Sequence, residues 1–442
     1  MRAPSVREAR ALNRSAQQLR AREARQAWPE ELVELGGHRG MQLRLRAGLV
    51  LELGFGFAMN GQARWIRSSP HARWLEFFRG RGLAELPAVP RELVGDDALY
   101  ELAEADALAG LHGLRRLEIH SMGERQAEGE RALASSIASL SGLESLTLPV
   151  HRRATLPSLR SLGLRHLGLS QCAREDLQLL AGFDTLRSLQ LGLLGPVTPN
   201  AEAALVEALA LVEQLDSLRV DRGGSAPNWR TLLPRLSLRR LELLPGEDPL
   251  DIYGWRRAHA PLVELTQLEH LGVHHRFIPQ GLFERLTALR SLELWGNQGP
   301  GRRSVVRTEL GQLEQLHVGV ALLPWLRAPR LAKLVLAGAS ELRPSVWSEL
   351  ERAGIGPKLR ELDIYGLPAM SEPASKRVLA QLEQLTMVQA PSEADRVFIR
   401  ELPQLRRLRV PSLDPAAHRA LCEALPELLV ETTRHWPRPR AQ

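Results

Sequence analysis

Leu289-Arg290-Ser291-Leu292-Glu293-Leu294-Trp295-Gly296-Asn297 decides how this chain is read. Leu289, Leu292 and Leu294 alternate with polar residues, and Asn297 closes the stretch. Leu292 and Leu294 are two residues apart, so a short extended segment turns both to one face. Leu289 reaches that face from the preceding turn. Glu293 points the opposite way and shares its side with Ser291 and Trp295.

The rhythm recurs. Leading leucines of LxxLxL units stand at Leu114, Leu143, Leu164, Leu186, Leu215, Leu238, Leu268, Leu289, Leu313, Leu331, Leu359, Leu382, Leu405 and Leu425. The last apolar position varies, as Ile119, Leu148, Val220, Val273, Val318, Ile364, Met387 and Val410. Most starts lie 20 to 30 residues apart, the span of one strand, turn and return. No such unit can bury its apolar face alone, so stacked neighbours must supply the core.

Repeated at this period, the LxxLxLxxN spacing resembles the leucine-rich repeat. The resemblance implies an α/β solenoid: a right-handed horseshoe or arc with a parallel concave β-sheet and a mixed helical and irregular convex side. In type it resembles bacterial leucine-rich solenoids of the irregular ribonuclease-inhibitor-like or cysteine-containing kind. Asn297 keeps the asparagine position and Cys172 substitutes for it, whereas Leu194 and Leu367 stand in other repeats. Such loss predicts an irregular stack whose turn groups find other partners. Returns at 128–140, 202–215, 372–382 and 414–425 have helical spacing. The return at 321–330 carries Pro324 and Pro329, which oppose a full helix.

Four segments follow. Residues 1–28 read as a basic helical arm with Arg2, Arg7, Arg10, Arg14, Arg20, Arg22 and Arg25. Residues 29–110 read as a capping region with strands and an aromatic-rich helix. Residues 111–430 carry about 14 repeats, and 431–442 a polar tail. Within the capping region, Leu43 and Leu45 alternate with Arg44 and Arg46, a half-buried strand signature. Gly48 marks a turn into a second strand, and the stretch resembles the companion region that leads into some bacterial repeats. Trp74, Phe77 and Phe78 share a helix face, and Trp65 precedes them. The Gly54-Phe-Gly56 stretch fails the nucleotide-loop pattern because Met59 occupies the third glycine position.

Composition narrows the function classes. The net charge is +7, but arginines are interleaved with acids and form no block. Two cysteines, Cys172 and Cys422, give neither a disulfide framework nor a zinc pair, and read as buried apolar side chains. No continuous apolar run has the length of a membrane span. No apolar leader opens the chain, so a cytoplasmic location is expected. No nucleophile elbow is present, so no catalytic residue, cofactor or metal is assigned.

The strand positions between the buried leucines form the candidate binding face. Their middle row reads Glu118, Thr147, Gly168, Gln190, Arg219, Glu242, Gly272, Glu293, His317, Val335, Asp363, Thr386 and Arg409. This mixed row does not suit a phosphate backbone, which favours a continuous basic groove. Glu242, His270, His274, Glu293, Trp295, His317, Asp363 and Tyr365 are the expected partner-binding residues, because aromatics bordered by polar groups on a rigid wall make good anchors. His270, His274, Glu293 and His317 sit on neighbouring strands, yet zinc needs ligands converging at about 2.0–2.3 Å, and nothing in the spacing shows that. The expected function is a non-enzymatic scaffold or adaptor for a protein, one encoded nearby being a natural partner. The alternative is a regulatory or recognition subunit of a multiprotein enzyme or nucleic-acid machine, in bacterial defence or secretion.

Overall fold

The computed structural model describes residues 40–44, 50–54, 92–95, 113–119, 127–148, 159–173, 180–194, 207, 209–210, 212, 214–223, 236–245, 260–274, 278, 281–295, 308–337, 345–364, 373–411, 413 and 415–432. The basic arm, the aromatics Trp65, Trp74, Phe77 and Phe78, Asn297, Tyr365 and most of the polar tail lie outside them. Two compact units are present, Met1–Leu236 and Ser237–Gln442.

The first unit opens with β1 (Gly40–Arg44) and β2 (Val50–Gly54), an antiparallel pair with Leu43 opposite Leu51. Gly48, read as the turn between these strands, lies outside the described residues. On the other edge of β1 lies β3 (Glu92–Gly95), again antiparallel. From β3 the ladder becomes parallel through β4 (Arg116–Ile119), β5 (Ser145–Leu148), β6 (His166–Ala173), β7 (Ser188–Leu194) and β8 (Ser217–Gly223). The parallel ladder thus starts one strand before the first leucine triplet. In β3, Leu93 pairs with Leu117 and Gly95 with Ile119. Pro90 and Gly95 occupy two of the three apolar positions there, which hides this strand from the leucine pattern.

The second unit holds a longer parallel ladder. It runs through β9 (Arg240–Pro245), β10 (His270–His274), β11 (Ser291–Trp295), β13 (Gln315–Gly319) and β15 (Lys333–Ala337). It continues through β16 (Glu361–Ile364), β17 (Gln384–Met387), β18 (Arg407–Val410) and β19 (Leu429–Thr432). A separate short parallel pair, β12 (Thr308–Glu309) and β14 (Leu326–Arg327), flanks β13 in sequence. The chain is an α/β leucine-rich solenoid in both units. Every leading leucine from Leu114 to Leu405 is followed two residues later by a parallel strand. The last unit departs from the count. Leu428, not Leu425, fills the turn position, and its N–H donates to the Leu425 carbonyl at 3.0 Å.

The triplet leucines form the core as their spacing requires. Leu289, Leu292 and Leu294 are 4%, 0% and 3% exposed. A fourth apolar position stands three residues ahead of the triplet, at Leu265, Leu286, Leu310, Leu379 and Leu402, all buried. Its carbonyl accepts the leading leucine's N–H, as in Leu268 to Leu265 (3.0 Å) and Leu289 to Leu286 (3.1 Å). The working motif is therefore LxxLxxLxL, a tight turn pinned at both ends by buried side chains.

Strand entry follows one backbone rule. Arg290 and Ser291 N–H both donate to the Glu269 carbonyl (2.9 and 3.0 Å), and Glu314 and Gln315 N–H both donate to the Arg290 carbonyl (2.8 and 3.0 Å). The same pairing recurs at each junction from β4 to β8 and from β9 to β18. One carbonyl has two lone pairs, so two donors are satisfied without a side chain. The residues that carry these carbonyls mix arginines with glutamates. Arg115–Glu144 (2.7 Å), Arg290–Glu314 (2.6 Å) and Arg360–Glu383 (3.3 Å) form exposed ion pairs along the strand entries. Each contributes at most about 1 kcal/mol. They do explain why an arginine-rich chain shows no continuous basic track there.

The returns are mixed, as expected. Helices α1 (Ala127–Ala138), α4 (Pro373–Val378) and α6 (Pro415–Ala424) fall on the segments with helical spacing. Pro324 lies inside a 3-10 turn, Val320–Trp325. Cys422 on α6 is half-buried, not enclosed as its apolar reading implied. Helices α2 (Leu282–Arg285), α3 (Val346–Arg352) and α5 (Glu393–Arg400) add to the expected set. Their signals are local caps. Gly354 after α3 has φ 70, and Gly354 N–H reaches the Glu351 carbonyl while Ile355 N–H reaches that of Leu350, both at 2.9 Å. This is a Schellman ending, which glycine permits without a Cβ penalty. Before α5, the Ser392 hydroxyl accepts the Asp395 N–H (3.2 Å), and the Asp395 carboxylate accepts the Ser392 N–H (2.8 Å).

Candidate functional site

The register places the predicted middle row on one face of each ladder. In the first unit Glu118, Thr147, Gly168, Gln190 and Arg219 are successive partners. In the second, Glu242, Gly272, Glu293, His317, Val335, Asp363, Thr386 and Arg409 are. Seven of the eight expected site residues fall on this outward face or its margin: Glu242, His270, His274, Glu293, Trp295, His317 and Asp363. Tyr365 lies outside the described residues.

Geometry divides the seven. Glu242 is 2% exposed and its carboxylate is already engaged within the face, so it supports the face instead of presenting a contact. Arg240 Nε donates to its carboxylate at 2.9 Å, and His270 Nε2 lies 3.4 Å from it. The other His270 ring nitrogen, Nδ1, is within hydrogen-bond distance of Ser291 Oγ on the next strand (2.8 Å). Glu293 and His317 approach at 3.8 Å and are both partly exposed. Asp363 stands three strands beyond Glu293, at about 4.8 Å per strand. The sequence-predicted set is thus a cluster on β9 to β13 plus a separate polar point on β16.

Trp295 is held by an absence. The burial of β11 alternates between half-buried Ser291, Glu293 and Trp295 and buried Leu292 and Leu294, so Trp295 stands on the Glu293 face. Its ring lies back over Gly272 of the preceding strand. A Cβ added at Gly272 would come within 2.5 Å of Trp295 Cη2 and 3.0 Å of Glu242 Cγ. Glycine is needed there for space. The indole covers the gap that glycine leaves, beside the buried Glu242.

Ser291, His270 and Glu242 are the residue types of a nucleophile relay. Its second link is not made, because His270 Nε2 has no hydrogen-bond partner despite its proximity to Glu242. Among the described residues no group of three or more His, Cys, Asp or Glu is arranged to hold a metal ion. No described helix is long and apolar enough to cross a membrane.

The first unit repeats part of this pattern, a feature that reading the middle row alone overlooks. Arg116-Leu-Glu118, His166-Leu-Gly168 and Ser188 correspond in sequence to Arg240-Leu-Glu242, His270-Leu-Gly272 and Ser291, although β5 stands between the first two strands here. Arg116 Nε donates to Glu118 at 2.8 Å, and His166 Nδ1 lies 2.9 Å from Ser188 Oγ. Thr147, not tryptophan, fills the space over Gly168, 2.8 Å from where a Cβ would stand. The signal available in the sequence was the recurrence of the tripeptides.

Burial lowers the His166 pKa from its ordinary 6.5; the Glu118 charge opposes this and Arg116 adds to it. The unfolded chain therefore binds the proton more readily than the native one. Stability is retained above pH 6.5 and declines as pH falls through the lowered value. Urea unfolding at pH 7.5 and pH 5 should show a lower midpoint at pH 5. His166→Gln should narrow the gap; an unchanged gap would assign the pH dependence to other groups.

No protein-family model and no curated protein matches this chain. Among solved structures it is similar to a leucine-rich repeat protein of Leptospira interrogans, at 16% identity and TM-score 0.30, over 77% of this chain and 88% of that one. It is also similar to a chain of the Drosophila Toll–Spatzle complex, at 16% identity and TM-score 0.36, over 77% and 54% respectively. A chain of the yeast Rad7–Elc1 complex matches at 14% identity and TM-score 0.37, over 84% and 86%.

Proposed function

We propose that this chain is a non-enzymatic protein-binding scaffold that takes its partner on the outward face of β9 to β13. Trp295, His274, Glu293 and His317 make the contacts, while Glu242, His270 and Gly272 hold them in place. The position of Trp295 carries this reading. A half-buried indole lies across a backbone gap on a rigid ladder, surrounded by polar groups. That arrangement suits a binding anchor, which combines a large apolar contact with little ordering cost. The mixed charge of the middle row favours a protein over a nucleic-acid backbone.

The test begins with affinity capture of native partners by the full chain, followed by titration of the purified partner. Glu293→Ala and His317→Ala should each weaken binding several-fold. Arg377→Ala should leave it unchanged, because Arg377 pairs with Glu351 between two return helices, α4 and α3. Equal affinity for all three variants would move the interface away from this face.

A further inference from the structure

We infer that Asp363 and Thr386 form a notch for an arginine or lysine side chain of the protein partner; this rests on the strand face being the binding surface. The two residues are direct register partners in the middle row of β16 and β17. Thr386 alternates with the buried Leu385 and Met387, so its side chain stands on the outward face. It is nevertheless only 3% exposed. Thr386 Oγ1 and Asp363 Oδ1 are both buried and both lack a hydrogen-bond partner. Buried polar atoms of this kind are uncommon in folded proteins, and each calls for an explanation. Here two of them stand side by side.

The nearby cations are already committed. Lys333 pairs with Glu361 at 3.0 Å, in the row beside Asp363. Arg409 is the register partner of Thr386 and the nearest candidate to satisfy the pair. Its Nε donates instead to Glu431 at 2.6 Å, on the terminal strand β19. Arg407 lies 3.4 Å from the Gln384 amide oxygen and 3.6 Å from Glu431. The last strand thus draws both arginines away from Asp363.

The chemistry of the vacant pair selects its ligand. A carboxylate oxygen only accepts, and a hydroxyl oxygen has two lone pairs. A guanidinium or ammonium only donates, so it can serve both oxygens and pair with the carboxylate charge. Val335, the register partner of Asp363 on the other side, offers an apolar wall for the methylene stem of such a side chain. The same row supplies Glu293 and, deeper, Glu242, and no lysine or arginine from β9 to β17. Although the whole chain is positively charged, this row is complementary to a basic segment.

Two measurements on the full chain test the notch. The first is thermal melting of Thr386→Val, which keeps shape and removes the hydroxyl. The melting temperature should stay level or rise. A fall of several degrees would show that the hydroxyl is already satisfied within the chain and would overturn the proposal. The second is titration with a capped tri-arginine peptide and its citrulline counterpart. The wild type should prefer arginine; Asp363→Asn should lose at least five-fold in affinity for it, and Thr386→Val at least two-fold. Glu361→Gln, on the same strand, should stay within two-fold of wild type. No preference for arginine, no loss in Asp363→Asn, or an equal loss in Glu361→Gln would each overturn the notch. The broader reading is judged separately. Native-partner binding that fails in Trp295→Ala but persists in Asp363→Asn rejects the notch and leaves the face. Native-partner binding that survives Trp295→Ala rejects the face, whatever the peptide does.

Discussion

Trp347→Ala should lower the stability of the Ser237–Gln442 unit by about 3–5 kcal/mol, the range for removing a fully buried aromatic side chain. Trp347 is 0% exposed on α3, and Val346, Leu350 and Ile355 around it are also buried. Alanine would remove the largest side chain enclosed in the described core and leave a cavity on the return side. The Schellman ending at Gly354 fixes the C-terminus of α3, which limits how far the helix can move inward to fill that cavity. The indole Nε1 has no hydrogen-bond partner. Trp347→Phe therefore gives up volume but no polar interaction and should cost much less than alanine. Urea unfolding followed by circular dichroism would measure both variants. A cost below about 1 kcal/mol for alanine would mean that Trp347 is not enclosed as its 0% exposure indicates. In a solenoid each repeat touches mainly its neighbours, so this loss should concentrate in the second unit.

Trp295→Ala should weaken partner binding by about 2 kcal/mol or more, the threshold of an interface hot spot. That corresponds to roughly thirty-fold in Kd. The fold should persist, because Trp295 is half-buried and replaces none of the triplet leucines. A second variant separates the indole's position from its mere presence. Gly272→Ala keeps Trp295 but places a methyl 2.5 Å from its Cη2 and 3.0 Å from Glu242 Cγ. The ring, at the far end of its side chain, must shift. Gly272→Ala should therefore reduce affinity at least ten-fold while melting close to wild type. Calorimetric titration with the purified partner would measure both variants. Full affinity in Trp295→Ala would reject this face as the interface. Full affinity in Gly272→Ala alone would show that the indole binds from more than one position.

Legibility differed by type of residue. The strand positions from Leu114 to Leu405 and the whole middle row were readable, because one periodic rule sets every register. β3 was not, since Pro90 and Gly95 break the leucine pattern while the backbone still pairs with β4. The turn leucine at Leu265, Leu286, Leu310, Leu379 and Leu402 was present in the letters but not needed to define a strand. Its role became clear through the carbonyl that accepts the next leucine's N–H. For α3 and α5 the evidence lay in single caps, Gly354 and Ser392, which are weaker signals than a repeated period. The leucine pattern places the last repeat three residues early, at Leu425 instead of Leu428, because leucine stands at both positions and only the turn hydrogen bond tells them apart.

The sequence by itself determined a stack of parallel strands with leucines inside and a mixed polar row outside. A period of two along each strand and a recurrence every 20 to 30 residues are enough for that. Only the tertiary structure decided what each polar residue does. Glu242 and Glu293 occupy equivalent positions in the repeat, yet one is buried beneath Arg240 and His270 and the other stands beside His317 in partial contact with solvent. Asp363 and Arg409 lie in the same row, yet Arg409 is drawn to Glu431. The outcome depends on side chains one strand away, some 20 to 30 residues distant in the chain. A local pattern sets which face a residue occupies; which neighbour it meets there is set by stacking.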